Sequence, residues 1–359
     1  MSEIAIAGRK IGSNHRPYVI AEISANHSQN YAVAEALIRG SAEAGVDAIK
    51  LQTYTAETMT LDVDLPEYRI KEGLWESERL FDLYRRAETP WSWTESIQAL
   101  CVELGIAMFS SPFDSTAVNF LETFDVPAHK VASFELTDEP LLKKIASTGK
   151  PIIASTGMAT KKEIETAVRV LTENGCESLA LLRCTSAYPA PFNALNLSLI
   201  PKMMKNFNVP VGFSDHSLGT AAATAAVALG ACIVEKHVQT AGSESSPDAA
   251  FSASLTDIQQ LVFDVNVAFE SRGNGEYGPS KCEQPMMALR RSVIASRDIY
   301  PGELFDANNI VVRRPNIGLP PSEYETLLGT TARQAVRRGE GLTSRSAKRS
   351  PSPSGDSPQ

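Results

Sequence analysis

Eight short apolar runs, each closing on polar residues and separated from the next by a stretch of different periodicity, constrain this chain more than anything else in it. They are YVIAEIS, DAIKLQT, IAMFSSPF, AHKVASF, KPIIASTG, LALLRCTS, VPVGFSDH and ACIVEKHV, and they span Tyr18 to Val238. The segments between them have helical spacing. In AVAEALIRGSAEAG, Val33, Leu37 and Ile38 fall on one face and Gly45 supplies the stop. In KKEIETAVRVLTENG, Thr160 is the N-cap, Ile164, Val168 and Leu171 form the stripe, and Gly175 ends it. Strands alternating with helices imply parallel strands joined by right-handed crossovers. Eight such units in about 270 residues predict an α/β chain of the (β/α)8 (TIM) barrel class over residues 1–271. The second connection, Tyr54 to Pro90, is too long for a simple crossover and reads as a loop reaching over one end of the barrel.

The periodicity stops near Arg272. GNGEYGPSKCEQP is rich in glycine and proline and reads as a linker, 272–288. A compact, strand-rich domain follows over 289–347. It contains a weak internal echo, ASRDIYPGELF against RQAVRRGEGLT. The Ser/Pro-rich residues 348–359 read as a disordered tail.

Bulk properties exclude several functions. The net charge of -8 opposes binding to nucleic acid, which needs a basic surface. The longest apolar stretch, Ala221 to Val234, is broken by Thr224 and Gly230 and is too short to span a bilayer, so no membrane role is expected. The N-terminus lacks the apolar core of a secretory signal. The five cysteines are scattered without CxxC spacing, which suits reduced thiols in the cytoplasm.

In a barrel of this class, catalytic groups gather at the C-terminal ends of the strands. A lysine inside an apolar strand, such as Lys50 in DAIKLQT, needs a partner, because burying its charge alone is costly. Lys130 and Lys236 occupy comparable positions on the fourth and eighth runs. One such lysine reads as a salt bridge; three aimed at one mouth favour an anion such as phosphate or carboxylate. Ser111, Ser155, Ser186 and Ser214, at the ends of runs three, five, six and seven, are candidate donors to it. Glu22 and Glu135 are the acidic members, suited to general acid or base work or to orienting water. His216 and His237 close neighbouring runs, near enough to share one metal ion with coordination positions left over.

Taken together, AEISANH, AIKLQTYT, FSSPFD, HKVASFE, PIIASTGMAT, CTSAYP, GFSDHS and EKH resemble the sialic acid synthases, which condense phosphoenolpyruvate with an open-chain aldose. The C-terminal segment, including RRPNIGL, resembles the small antifreeze-like (SAF, β-clip) domain that completes those enzymes. QTYTAETMTLD, IKEGLW and LYRRAETPW are most similar to the branch that makes pseudaminic acid. Branches making neuraminic or legionaminic acid are the alternatives, and a catalytically inactive carbohydrate-binding protein is a distant one. Thr94 and the sequence around Asp248 depart from the family pattern.

The resemblance implies a divalent cation, Mn²⁺ first and otherwise Mg²⁺ or Co²⁺, held by His216 and His237 and polarising the sugar aldehyde. It implies that Lys50, Lys130, Ser155, Ser186 and Ser214 contact phosphoenolpyruvate; Ser111, Ser133 and Lys236 are further candidate substrate-binding residues. Gln52, Tyr188 and Asp248 map toward the sugar, Glu135 toward the attacking water, and Glu22 toward a supporting acid or base. Arg314 maps onto an arginine that reaches the partner's barrel in a homodimer with exchanged small domains.

Overall fold

The computed structural model describes residues 3–348. The expected tail therefore lies, but for Lys348, outside the described residues. The chain divides into two compact units after Gly273.

All eight apolar runs form strands of one parallel sheet: β1 Tyr18–Glu22, β2 Ala48–Thr53, β3 Ala107–Pro112, β4 His129–Val131, β5 Ile152–Ser155, β6 Leu179–Cys184, β7 Val211–Asp215 and β8 Ile233–Gln239. Each pairs in parallel with the next, and β8 pairs with both β7 and β1, so the sheet closes into a barrel. The two expected helices are Tyr31–Glu43 and Lys161–Glu173. Thr160 caps the second through a reciprocal box with Glu163.

Because side chains alternate along a strand, the barrel wall has two faces. Tyr18, Ile20, Ala48, Phe109, Ile153, Leu182 and Ile233 point inward and pack together. A hairpin formed by Ile4–Ile6 and Arg9–Ile11 adds Ile4, Ile6 and Ile11 to the same cluster. The alternate residues, among them Val19, Ile49, Met108, Val131, Phe213 and Val234, pack outward against the helices. The inner set is apolar low in the barrel and turns polar toward the C-terminal strand ends. The fold thereby builds a polar cup on an apolar floor.

The long second connection holds helices Ala56–Met59 and Leu80–Ala87. Between them, Trp75 anchors the segment across the mouth by donating from Nε1 to the Pro247 carbonyl at 2.9 Å.

In the small unit, strands Ser292–Ala295 and Ile310–Arg313 pair antiparallel. The two echoing segments also lie antiparallel, exchanging backbone bonds between Ile299 and Val336 at 2.8 and 3.0 Å. Each ends in an equivalent turn: Glu303 accepts from the Tyr300 amide, and Glu340 from the Arg337 amide. Val293, Ile299, Phe305, Ile310, Val336 and Leu342 form this unit's own core.

Candidate active site

Directly above the apolar floor, the lowest polar layer of the cup is one of alternating charge. Lys50, two residues beyond inward-facing Ala48, meets Glu22 of β1 in an ion pair and donates to Ser111 Oγ at 3.3 Å. Lys130 on β4 donates to Ser155 Oγ at 2.7 Å and to the Val131 carbonyl at 3.1 Å. Between them stands Glu235, whose Oε1 lies 3.8 Å from Lys50 Nζ and 3.7 Å from Lys130 Nζ and accepts from Ser214 Oγ at 3.1 Å. Two ammonium groups and two carboxylates thus offset one another in a site shielded from water, where each unpaired charge would be costly.

The balance is uneven. Burial opposes the charge on Lys50, but Glu22 and Glu235 outweigh it and raise its pKa. Burial dominates at Lys130 and lowers its pKa despite Glu235. Burial likewise pushes Glu22 up to about 7 against the pull of Lys50. Glu235 moves the other way: burial is opposed by both lysines, which hold its pKa below the usual range. Several buried oxygens here have no hydrogen-bond partner: Glu22 Oε1, Glu235 Oε2, Glu135 Oε2 and Ser186 Oγ. Unsatisfied buried polar atoms are rare in native proteins, and a cluster of them marks a place built to meet a polar ligand.

Glu135 sits on the single 3-10 turn Ser133–Thr137 that follows β4. Burial raises its pKa to about 7, opposed by a backbone hydrogen bond and by Lys130. Ser133 and Ser186 converge on the loop after β5, where the Gly157 amide donates to Ser133 Oγ at 3.1 Å. A Cβ on Gly157 would come within 2.2 Å of Ser186 Oγ and 2.7 Å of Ser133 Oγ, so this close approach requires glycine.

Above the charged layer, His216 and His237 face each other with ring centroids 5.4 Å apart. His216 Nδ1 lies 3.1 Å from the Thr185 carbonyl, a contact in which Nδ1–H donates, so that Nε2 is the nitrogen left to ligate when the ring is neutral. Burial, reinforced by His216 and the lysines, drives the His237 pKa well below its usual value and keeps that ring neutral, the form that ligates metal. Its Nδ1 is buried without a hydrogen bond, 3.8 Å from Asp248 Oδ2. Among the described residues no group of three or more His, Cys, Asp or Glu is arranged to hold a metal. His216 and His237 are the residues that could hold a divalent cation, with water and substrate filling its other positions; two imidazoles alone fall short of the four protein ligands of a structural zinc site.

Asp248, on the loop after β8, accepts from Ser24 Oγ and the Ala25 amide. Tyr188 packs against His216 with ring centroids 4.5 Å apart and planes tilted by 40°, and Phe251 lies 4.9 Å from His237 and 5.0 Å from Tyr188. Trp75 completes this aromatic wall, 5.5 Å from Tyr188. Gln52 shares the inward face of β2 with Lys50, nearer the opening.

The structure corrects one expectation. Lys236 does not point into the mouth: it lies on the outer face of β8, paired with Asp215 at 2.8 Å. Strand alternation is the reason, because Glu235 and His237 face inward and their common neighbour must face out. Glu235 was correspondingly missed, although the same alternation in EKH points to it. Trp75 was missed for a different reason, since no periodicity reads through an irregular connection. Arg314 belongs to the small unit, where it is exposed and has no hydrogen-bond or ion-pair partner among the described residues.

The sequence matches the NeuB family over residues 37–277 and the SAF domain over residues 290–344. A pseudaminic acid synthase of Campylobacter jejuni subsp. jejuni serotype O:23/36 is 39% identical over 330 residues, covering 92% of this chain and 96% of that protein. An N,N'-diacetyllegionaminic acid synthase of Campylobacter jejuni subsp. jejuni serotype O:2 is 34% identical over 326 residues, covering 90% and 97%. The crystal structure of an N-acetylneuraminic acid (sialic acid) synthetase from Leptospira borgpetersenii serovar Hardjo-bovis, in complex with citrate, superposes with a TM-score of 0.72 at 30% identity, over 80% of this chain and 95% of that one.

Proposed function

The chain belongs to the NeuB family and is a nonulosonic acid synthase, and we propose that it condenses phosphoenolpyruvate with 2,4-diacetamido-2,4,6-trideoxy-L-altrose to give pseudaminic acid and phosphate. The observation that carries this reading is the charged layer beneath the paired imidazoles. Lys50 and Lys130, already mobilised by Glu22 and Glu235, can turn to a phosphate and a carboxylate, with Ser111, Ser155, Ser186 and Ser214 as donors around them. In this reading phosphoenolpyruvate lies on the charged layer, and the aldehyde lies between it and the two histidines.

A divalent cation on His216 and His237, Mn²⁺ in this reading, would supply Lewis-acid polarisation of the aldehyde oxygen. Carbon 3 of phosphoenolpyruvate forms the new C–C bond to the aldehyde carbon as the double bond between carbons 2 and 3 opens, and water adds at carbon 2. One proton of that water passes through the free oxygen of Glu135 and ends on the aldehyde oxygen, which becomes a hydroxyl; the bond from carbon 2 to the phosphate oxygen then breaks, the second proton leaves with phosphate, and carbon 2 becomes the ketone. Glu22 holds Lys50 in place and can exchange a proton with the same layer. Asp248 and Gln52 face the sugar hydroxyl and amide groups. Tyr188, Phe251 and Trp75 offer an apolar wall to its 6-methyl and acetamido methyl groups.

The active unit in this reading is a homodimer in which each small domain caps the partner's barrel and presents Arg314 to an acetamido carbonyl. An arginine fork suits such a carbonyl because it donates several bonds without losing its charge. The five cysteines are all free and four are buried, which supports a reducing, cytoplasmic setting.

Phosphate release from phosphoenolpyruvate in the presence of Mn²⁺, measured across a panel of aldoses, tests the assignment. Turnover of the trideoxy diacetamido sugar with little on N-acetylmannosamine is expected. The extra hydroxyls of N-acetylmannosamine would meet an apolar wall, and each unpaired polar group costs about 1–3 kcal/mol. A preference for the legionaminate precursor would favour the second reading, to which the 34% identical legionaminic acid synthase points.

A further inference from the structure

Behind the two imidazoles, on the outer face of the barrel wall, Asp215 and Lys236 form an ion pair whose side chains are 0% and 1% exposed. Lys236 Nζ donates to Asp215 Oδ2 at 2.8 Å and to the Ser217 carbonyl at 2.6 Å. Asp215 Oδ1 accepts from the Ser217 amide at 2.9 Å and from Ser217 Oγ at 2.6 Å. Other outward residues of the same two strands are Phe213, Val234 and Val238, packed in the outer core. Among the described residues, no other ion pair outside the mouth has both partners this deeply buried.

Such a pair adds little net stability. Desolvation offsets most of its attraction, and an apolar pair of similar volume commonly serves as well. Its location supplies a better reason. Asp215 and Ser217 flank His216 on either side, Lys236 directly precedes His237, and Lys236 and Asp215 are register partners across β7 and β8. One ammonium therefore ties the backbone on both sides of His216 to the residue before His237. The strand β7 ends at Asp215; beyond it the His216 carbonyl accepts from the Ala190 amide at 3.0 Å, and Lys236 adds the tie to β8.

We propose that Asp215 and Lys236 are positioning residues that set the separation of the two imidazoles and thereby the affinity of the site for its divalent cation. This rests on the reading that His216 and His237 hold that cation. Ligand atoms must be held to about 0.5 Å for productive chelation, and outer groups that orient them are the usual means. Neither Asp215 nor Lys236 reaches the mouth, so neither contributes to holding phosphoenolpyruvate.

The test removes both charges and keeps the volume, in the double variant Asp215→Leu/Lys236→Met. Three quantities are read on chelator-treated protein: Mn²⁺ uptake without substrate, from the electron paramagnetic resonance signal of the free ion; phosphoenolpyruvate binding without metal, by calorimetry; and Tm. The expected result is Mn²⁺ affinity reduced ~10-fold or more, as for other outer partners of metal ligands, with phosphoenolpyruvate affinity and Tm close to the wild type. A second variant, Asp215→Asn/Lys236→Gln, removes the charges but keeps a hydrogen bond across the strands, and is expected to recover most of the Mn²⁺ affinity. Wild-type Mn²⁺ affinity in the Leu/Met variant overturns the inference alone. Equal loss of Mn²⁺ and phosphoenolpyruvate binding also overturns it, by reducing the pair to general support of the barrel. No Mn²⁺ uptake by the wild type overturns both the inference and the metal reading beneath it.

Discussion

At the scale of single residues, Glu135 has a consequence for pH. Burial raises its pKa to about 7, so a Glu135 acting as base is half protonated at neutrality. kcat/KM is expected to fall about tenfold per pH unit below that point, and Glu135→Gln to lose ~10²–10⁴-fold in kcat. The same shift acts on stability with a defined sign. The folded pKa lies above the unfolded one, so the folded state binds the proton more tightly. Its contribution is complete below the unfolded pKa and is lost as pH rises through about 7. Glu135→Gln should therefore lose less Tm than the wild type between pH 5 and pH 8; parallel Tm curves would show that Glu135 is solvated rather than buried. His216→Ala and His237→Ala are expected to abolish turnover with the fold intact by circular dichroism. Chelated wild-type enzyme should regain activity with Mn²⁺, and full activity after chelation would remove the metal from the reaction.

At the scale of elements, the eight strands were legible because each is a short apolar run with a polar end, a pattern that no amphipathic helix reproduces. Which residues reach the mouth was legible only where the period of two was followed through. Lys50 and Lys130 each sit two positions from an inward apolar residue, and both face in. In EKHV the same count puts Glu235 and His237 inside and Lys236 outside, so composition misled where alternation did not. The aromatic wall was hidden because Trp75 arrives on an irregular 37-residue connection (Tyr54 to Pro90) whose path depends on tertiary contacts such as its bond to Pro247. That connection carries its own prediction. Aromatic contacts contribute about 0.5–1.5 kcal/mol beyond their buried area. Trp75→Ala should raise KM for the sugar ~3–10-fold and leave KM for phosphoenolpyruvate unchanged. An equal rise in both would mean that Trp75 only packs the loop.

At the scale of the molecule, the two units differ in charge. Residues 274–359 hold 12 Lys or Arg against 9 Asp or Glu, whereas residues 1–273 hold 22 against 33. In the proposed dimer, a basic small domain would complement an acidic barrel, and closing the mouth against water would strengthen the contacts to phosphoenolpyruvate. The proposal places that domain over the partner's barrel rather than its own. Complementation between two inactive variants tests this. If caps are exchanged, a heterodimer of Glu135→Gln and Arg314→Ala chains has one site with both lesions and one with neither. With free subunit exchange, half of all dimers are mixed and half of their sites are intact, so activity should return to about a quarter of the wild type. If each cap serves its own barrel, every site keeps one lesion and mixing restores nothing. Absence of recovery in heterodimers verified by mass spectrometry would therefore assign each small domain to its own barrel, or remove Arg314 from the site altogether.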